Sequence, residues 1–363
     1  MFRFFLKHRL LALLFFLALF IKLFSLNADW VERYYTYGFY PFISRSLRLL
    51  FGWLPFSFGD VLYFLAFLYL LFLIGQFFIV LKRRGWKKLF SLINLIKAGS
   101  FILFIYVVFQ TLWGLNYSRQ GIAKQLGLDV KAYSINDLQA VTEVLQQRLN
   151  TAAAGVDTLK RKANNNNQYL FAGGRAAYQN AKNQFPFLKY SPASLKASLY
   201  STIGYYFGFT GYYNPFSGEA QINTTVPSFL KPFVVTHEMA HQVGYAKENE
   251  ANFVGFLACH QSTDVQFRYS VYFELYLYAI REVGKRDTIL FNGFKKTVHP
   301  LVRRDARELR NYLTKTDNKV EPFVSSFYDQ YLKMNSQPKG MATYNEVIAW
   351  LIAYQKKYGR FSI

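Results

Sequence analysis

The sequence predicts a membrane-anchored, mainly α-helical protein in which three transmembrane helices precede an α+β domain with a small sheet. Three observations lead there. Apolar residues form 52% of the chain but crowd into its first third, in runs near the ~20 residues that a bilayer span requires. Basic residues collect at two points between those runs. Beyond residue 115 the pattern turns amphipathic and helical, broken by one Gly- and aromatic-rich stretch with near alternation.

The expected spans are about 10–26, 61–81 and 92–115. "LLALLFFLALFIKLFSL" (10–26) is interrupted only by Lys22 near its end, and "VLYFLAFLYLLFLIGQFFIVL" (61–81) is uncharged. The third lies within "LFSLINLIKAGSFILFIYVVFQTLWGL" (89–115), where Lys97 sits close enough to one end to snorkel. The basic start "MFRFFLKHR" resembles a signal peptide, but no small-residue cleavage site follows, so the first helix reads as an uncleaved anchor. Arg3, Lys7 and Arg9, and the loop "KRRGWKK" (82–88), place the N-terminus and that loop in the cytoplasm. The 27–60 loop, with its interfacial "GFYPF" and "GWLPF" pieces, and residues 116–363 are then extracytoplasmic, in the periplasm of a diderm bacterium. The division is a membrane region, 1–115, and an extracytoplasmic domain, 116–363, with the lipid bilayer as first partner.

The net charge of +22 divides into +10 for residues 1–115 and +12 for the rest. A solvated basic surface or attraction to anionic headgroups accounts for it. No basic-aromatic motif points to nucleic acid, and the expected side of the membrane excludes that partner. The single cysteine, Cys259, rules out an intrachain disulfide and reads as a small buried apolar residue. Nothing in the sequence sets the oligomeric state.

In the second region, 134–155 reads as a helix capped by Ser134 or Asp137, with Leu138, Val141, Val144, Leu145 and Leu149 at helical spacing. "KANNNNQYL" (162–170) reads as a polar loop and 173–185 as a helix ended by Pro186. Residues 191–204 hold a short helix or a strand entry, and 204–227 a hairpin or two short strands. Helices dominate 232–282 and recur at 323–336 and 343–359.

One stretch carries chemistry: "VVTHEMAHQVGYAKENEANFVGF" (234–256). His237 and His241 are four residues apart, on one face of a helix that Pro232 can begin. From there both imidazoles can bind one metal ion. Glu238 points about a hundred degrees around the helix, beside the metal, where it can act as general base toward a water the metal activates. Two histidines leave tetrahedral zinc short of a protein ligand. Gly244 suits a helix end, and a new helix starting near Lys247 returns Glu248 or Glu250 toward the metal.

"HEMAH" followed by "ENEAN" resembles the HExxH…ExxA[ND] pattern of gluzincin metallopeptidases, the thermolysin-like group. That resemblance implies a zincin-like fold for 116–363 and one Zn²⁺ per chain held by His237, His241 and Glu248. It implies Glu238 as catalytic base and Asn252 as the partner that orients a ligating histidine. Glu250 is the alternative ligand, off the position the pattern uses. The spacing departs from thermolysin, because only six residues separate His241 from Glu248. Gly244 fits the metzincin HExxHxxG, but Lys247 stands where that group has its third histidine. The three-span layout also resembles a family of bacterial membrane proteins grouped with the zincin-like peptidases.

A peptidase needs a further donor for the oxyanion. Tyr212, Tyr213, Tyr245 and Tyr344 are candidates among 28 tyrosines. Zincins pair extended substrate with an edge strand, which nominates 217–223. His260 and His299 match no ligand spacing. Two functions follow. One is a membrane-anchored zinc metallopeptidase acting on envelope proteins or peptides; the other is a non-catalytic zincin-like binding or scaffold module of a membrane complex.

Overall fold

The computed structural model describes residues 8–316, 318–335, 337–338, 340, 346–360 and 362–363. Among them the chain is mostly helical, with one small mixed sheet.

α1 (Arg9–Ser25) is followed by α2 (Ala28–Phe51), whose Val31–Phe39 portion is a π-helix, after a 99° bend. The region read as an interfacial loop, 27–60, is therefore helical for most of its length. Asn27 accepts a hydrogen bond from the Trp30 amide and starts α2. Val31, Tyr35, Tyr40, Ser44 and Arg48 are buried along one side of it, and Tyr34, Tyr37 and Phe42 are exposed on the other. α3 (Phe58–Leu89) bends at Gly85, and α4 (Leu92–Leu112) follows, capped by Ser91. The third apolar stretch ends earlier than expected, since Gly114–Ser118 is a 3₁₀ turn. Two helices, Phe58–Arg83 and Leu92–Leu112, are long and apolar enough to cross a membrane, or three if the bent α1–α2 pair is one span. Their apolar side chains face outward, which is compatible with a membrane protein.

The rest begins with α5 (Ile135–Gly155), where Ser134 and Asp137 form a capping box. α6 (Asn167–Gln184) starts inside the expected polar loop, because Asn166 caps it through the amides of Gln168 and Tyr169. β1 (Leu195–Ala197), α7 (Ser201–Phe207), β2 (Gly211–Asn214) and β3 (Glu219–Ile222) follow. β3 is central, parallel to β1 and antiparallel to β2. The stretch 217–223, expected at an edge, thus contains the middle strand; the hairpin partner β2 is an edge. Then come α8 (Lys231–Gln242), α9 (Glu248–His260), α10 (Val265–Arg286), α11 (Thr288–Thr297), α12 (Pro300–Thr316), α13 (Glu321–Met334) and α14 (Val347–Tyr358).

α8 lies at the centre, touching α9, α6, α10, β2 and β3. Val235, Met239 and Ala240 of α8 and Phe253, Phe256 and Leu257 of α9 are buried in the main core. Each such phenylalanine cut to alanine would cost about 3–5 kcal/mol. A second apolar cluster joins the apolar helices to this body: Ile21, Val31, Tyr35, Tyr40, Trp113, Leu115 and Tyr117 pack with Tyr213 and Ala246.

Candidate metal centre

α8 stops where Gly244 adopts φ +91°, a conformation that favours glycine. The Gly244 and Tyr245 amides donate back to the carbonyls of His241 and Ala240. The chain reverses, Lys247 takes the N-cap position, and Glu248 is the first residue of α9. α9 folds back along α8, which carries the Glu248 carboxylate to the two imidazoles. His237 Nε2 lies 3.2 Å and His241 Nε2 3.7 Å from Glu248 Oε2. One ligand atom from each of the three falls within 4.8 Å of the others, and all three residues are largely shielded from solvent.

The outer nitrogens set the chemistry. His237 Nδ1 is 2.8 Å from Asn252 Oδ1, and His241 Nδ1 is 2.8 Å from the Tyr245 carbonyl. Both partners accept, so each Nδ1 carries the hydrogen and each Nε2 presents its lone pair inward. Three acceptors then converge on one buried point, an arrangement that requires a proton or a cation. Tetrahedral bonds of about 2.0–2.1 Å would separate the donors by about 3.3 Å, near the spacings seen. Two imidazoles and a carboxylate suit a divalent transition metal, and three protein ligands leave a fourth position open.

Without a cation the cluster shares protons. Burial opposes charge on His241, but Glu248 beside it prevails and raises its pKa to about 9. Burial likewise works against the Glu248 carboxylate, yet His241 and His237 hold it well below the usual range. Glu238 behaves differently. Burial raises it to about 7, against the pull of His237 and His241. Its Oε2 has no hydrogen-bond partner among the described residues. Its Oε1 lies so close to Gly211 of β2 that a Cβ there would stand 2.7 Å away. Glycine at that strand position leaves room for the carboxylate, a link the sequence alone does not reveal.

Glu250 does not join the cluster. It lies against Gly121, with Lys247 at 4.0 Å, and burial raises its pKa against the pull of Lys247 and Arg119. Tyr212 donates to Asp60, and Tyr245 donates to Gln125 beneath the Arg119 guanidinium. Tyr213 packs its ring on Trp113 in the second apolar cluster. Tyr344 lies outside the described residues. His260 pairs with the Tyr272 hydroxyl, the His299 Nδ1 accepts from the Leu301 amide, and Cys259 is buried beside Thr236.

Other residues touch the centre that sequence reasoning passes over. Tyr328 of α13 donates to Glu248 Oε1 at 2.7 Å. Trp113, the first residue past α4, donates its indole N–H to the His241 carbonyl at 3.1 Å. Tyr40 and Ser44 of α2 donate to the Gln242 carbonyl. Glu274 and Tyr278 on α10 pair within electrostatic reach of His237 and Glu248. The contacts of Tyr328, Trp113, Tyr40 and Ser44 join segments far apart in sequence, and none has a local motif.

Fold and site together define a mainly helical protein with long apolar helices and a buried His-His-Glu cluster beside a free carboxylate. A family model described as "Protein of unknown function (DUF3810)" matches residues 35–352, and the chain belongs to that family. Neither a curated protein nor a solved structure matches it.

Proposed function

We propose that this protein is a membrane-anchored zinc-dependent hydrolase, a metallopeptidase acting on envelope proteins or peptides outside the cytoplasm. The observation that carries the proposal is the convergence of His237 Nε2, His241 Nε2 and Glu248 Oε2 next to Glu238, whose Oε2 is buried and has no partner among the described residues. A structural ion is usually closed by four protein ligands and needs no free carboxylate beside it. Zinc held here would supply Lewis acidity toward water and toward a scissile carbonyl. Asn252 and the Tyr245 carbonyl fix the two imidazoles. Glu238 accepts the proton from water and delivers it to the leaving amine. The β2 edge beside Glu238 offers backbone for an extended substrate.

The apolar helices, with the bent α1–α2 pair taken as one span, and the basic segment 82–88, expected as a loop but helical about a bend at Gly85, support three spans, with the N-terminus inside and the hydrolase domain outside. A reporter fused after Ile363 is then active only outside the cytoplasm.

The test pairs metal content with hydrolysis. Purified protein should hold about one zinc per chain, and Glu238→Gln should keep it while hydrolysis of fluorescently labelled casein falls by ~10²–10⁴. Zinc-free protein in which His237→Ala alters neither metal binding nor stability would sink the proposal. Zinc retention with no hydrolysis in either form would favour a non-catalytic binding module.

A further inference from the structure

α13 has two dissimilar faces. Tyr328, Tyr331 and Leu332 turn inward: Tyr328 to Glu248, Tyr331 to the Tyr117 hydroxyl at 3.4 Å, and Leu332 into a fully buried position. Phe323, Phe327 and Met334, at i, i+4 and i+11, form a second stripe and are 77%, 77% and 85% exposed. Exposed apolar residues occurring singly are ordinary, but a helical stripe of them calls for a partner. α7 packs beside α13, and the Asn318 side chain donates to the Tyr206 carbonyl to hold them together. α7 and its approach add exposed Leu199, Ile203 and Tyr206.

Both helices are fastened to the heads of the apolar helices. The Leu199 amide donates to Asp60 Oδ2 at 2.7 Å, and the Tyr200 hydroxyl donates to the Asp60 carbonyl at 2.7 Å. Asp60 is the third residue of α3, and Phe64, about one turn or 5.4 Å further on, is exposed. Tyr117, the anchor of α13, stacks edge-on against Trp113 at the end of α4. The exposed apolar surface of α4 reaches Ile105, eight residues or about 12 Å before Trp113. The residues that anchor α7 and α13 therefore lie about one to two helical turns from side chains that face outward along α3 and α4. That matches the depth at which interfacial helices bury their apolar faces, about 5–10 Å into the headgroup boundary.

We infer that α7 and α13 form a bilayer-contacting surface beside the heads of α3 and α4, holding the candidate metal centre near the lipid–water interface. The inference rests on α3 and α4 spanning a membrane. Lipid rather than a protein is the occupant because both helices are anchored on the heads of α3 and α4, whose apolar side chains face outward. α13 then touches lipid with one face and the Glu248 carboxylate with the other. Substrates tethered in the same leaflet then meet the candidate metal centre without leaving the membrane surface.

Environment-sensitive fluorophores on single introduced cysteines test this in full-length protein in nanodiscs. Cys259 is fully buried, so unsubstituted protein serves as the labelling blank. Labels at Phe323→Cys and Phe327→Cys should lose about half their emission to doxyl lipids quenching near the headgroups. A label at Ile289→Cys, also strongly exposed but on α11, should lose almost none. A label at Phe72→Cys, midway along α3, should be quenched by doxyl groups near the bilayer centre. If Phe72→Cys is quenched while Phe323→Cys and Phe327→Cys behave like Ile289→Cys, the inference fails and the spans stand. If Phe72→Cys is unquenched, the spanning reading falls and takes the inference with it. Protein-concentration-dependent blue shifts at Phe323→Cys without lipid quenching would assign the stripe to a second copy of the chain and overturn the inference.

Discussion

Glu219 and Glu248 are both buried carboxylates, and their surroundings are opposite. Glu219, on β3, receives the Phe58 amide at 3.1 Å, the Gly59 amide at 2.6 Å and the Ser217 hydroxyl at 2.8 Å. It sits at the N-terminus of α3, where unpaired amides and the helix dipole favour an anion. Asp60 beside it is likewise supplied with donors, by Leu199, Ser198 and Tyr212. Among the described residues Glu248 accepts from the Tyr328 hydroxyl on Oε1; its Oε2 faces two imidazole nitrogens whose rings each carry a hydrogen on the far side. The first cluster is closed and fastens an apolar helix to the sheet. The second is an excess of acceptors. Both carboxylates are buried, so the direction of the hydrogens tells a structural cluster from a candidate cation site.

The strongest way to break this comparison is to remove one glutamate at a time. Glu248→Ala should weaken zinc binding by about 3–4 kcal/mol, a few hundred- to a thousand-fold in Kd, measured by competition with a chromogenic chelator. Glu250→Ala, two residues away, should leave the Kd within about twofold, because its carboxylate faces Gly121 and Lys247 rather than the imidazoles. Equal losses, or the reverse order, would move the third ligand.

Glu219→Ala should do the opposite. It leaves the Phe58 and Gly59 amides without their acceptor, at a cost of about 3 kcal/mol, read as a lower Tm in detergent. Zinc bound per folded chain should not change. A variant that loses metal while keeping its Tm would mean the two clusters are one site.

Local features of this arrangement were legible in the sequence. His237, Glu238 and His241 follow from helical spacing, and Gly244 and Lys247 mark the turn that returns Glu248. Ser134 and Asp137 announce α5 by their capping chemistry. Tertiary features were not. Glu219 reads as part of a short strand until α3 is set against it, and Gly211 as one glycine of a Gly- and aromatic-rich stretch until Glu238 is beside it. The order β1-β3-β2 makes 219–222 central because β1 pairs in parallel from across a helix, which hairpin reasoning does not anticipate. The helical 28–51 segment hid behind Gly38 and Pro41, which read as loop punctuation; Pro41 instead sits in the first turn of the α-helical part.

The support behind the ligands gives a smaller effect. Asn252→Ala removes the acceptor that fixes the His237 ring and should weaken zinc binding about 10–100-fold without unfolding the protein. Asn252→Asp keeps an acceptor there and should restore most of the affinity. If Asn252→Ala binds zinc as tightly as the unsubstituted chain, the ring is held by packing alone.

The same reasoning about neighbours applies to a histidine outside the centre. At His260, burial, then Arg148 and Arg268, lower the pKa to about 4. It stays neutral when folded and takes a proton near pH 6.5 when unfolded. The unfolded chain therefore binds more protons between about pH 6.5 and 4, and stability must fall as pH falls through that window. Because the ring is only half-buried, about 1–2 kcal/mol is expected rather than the full value of the shift. Acidic carboxylates also titrate at the lower end, so the reading is the difference between the unsubstituted chain and His260→Gln. The variant should lose less stability than the unsubstituted chain from pH 6.5 to 4.5 in denaturant titrations of metal-free protein. Parallel curves would show that His260 is protonated alike in both states, and that its cationic surroundings do not govern it.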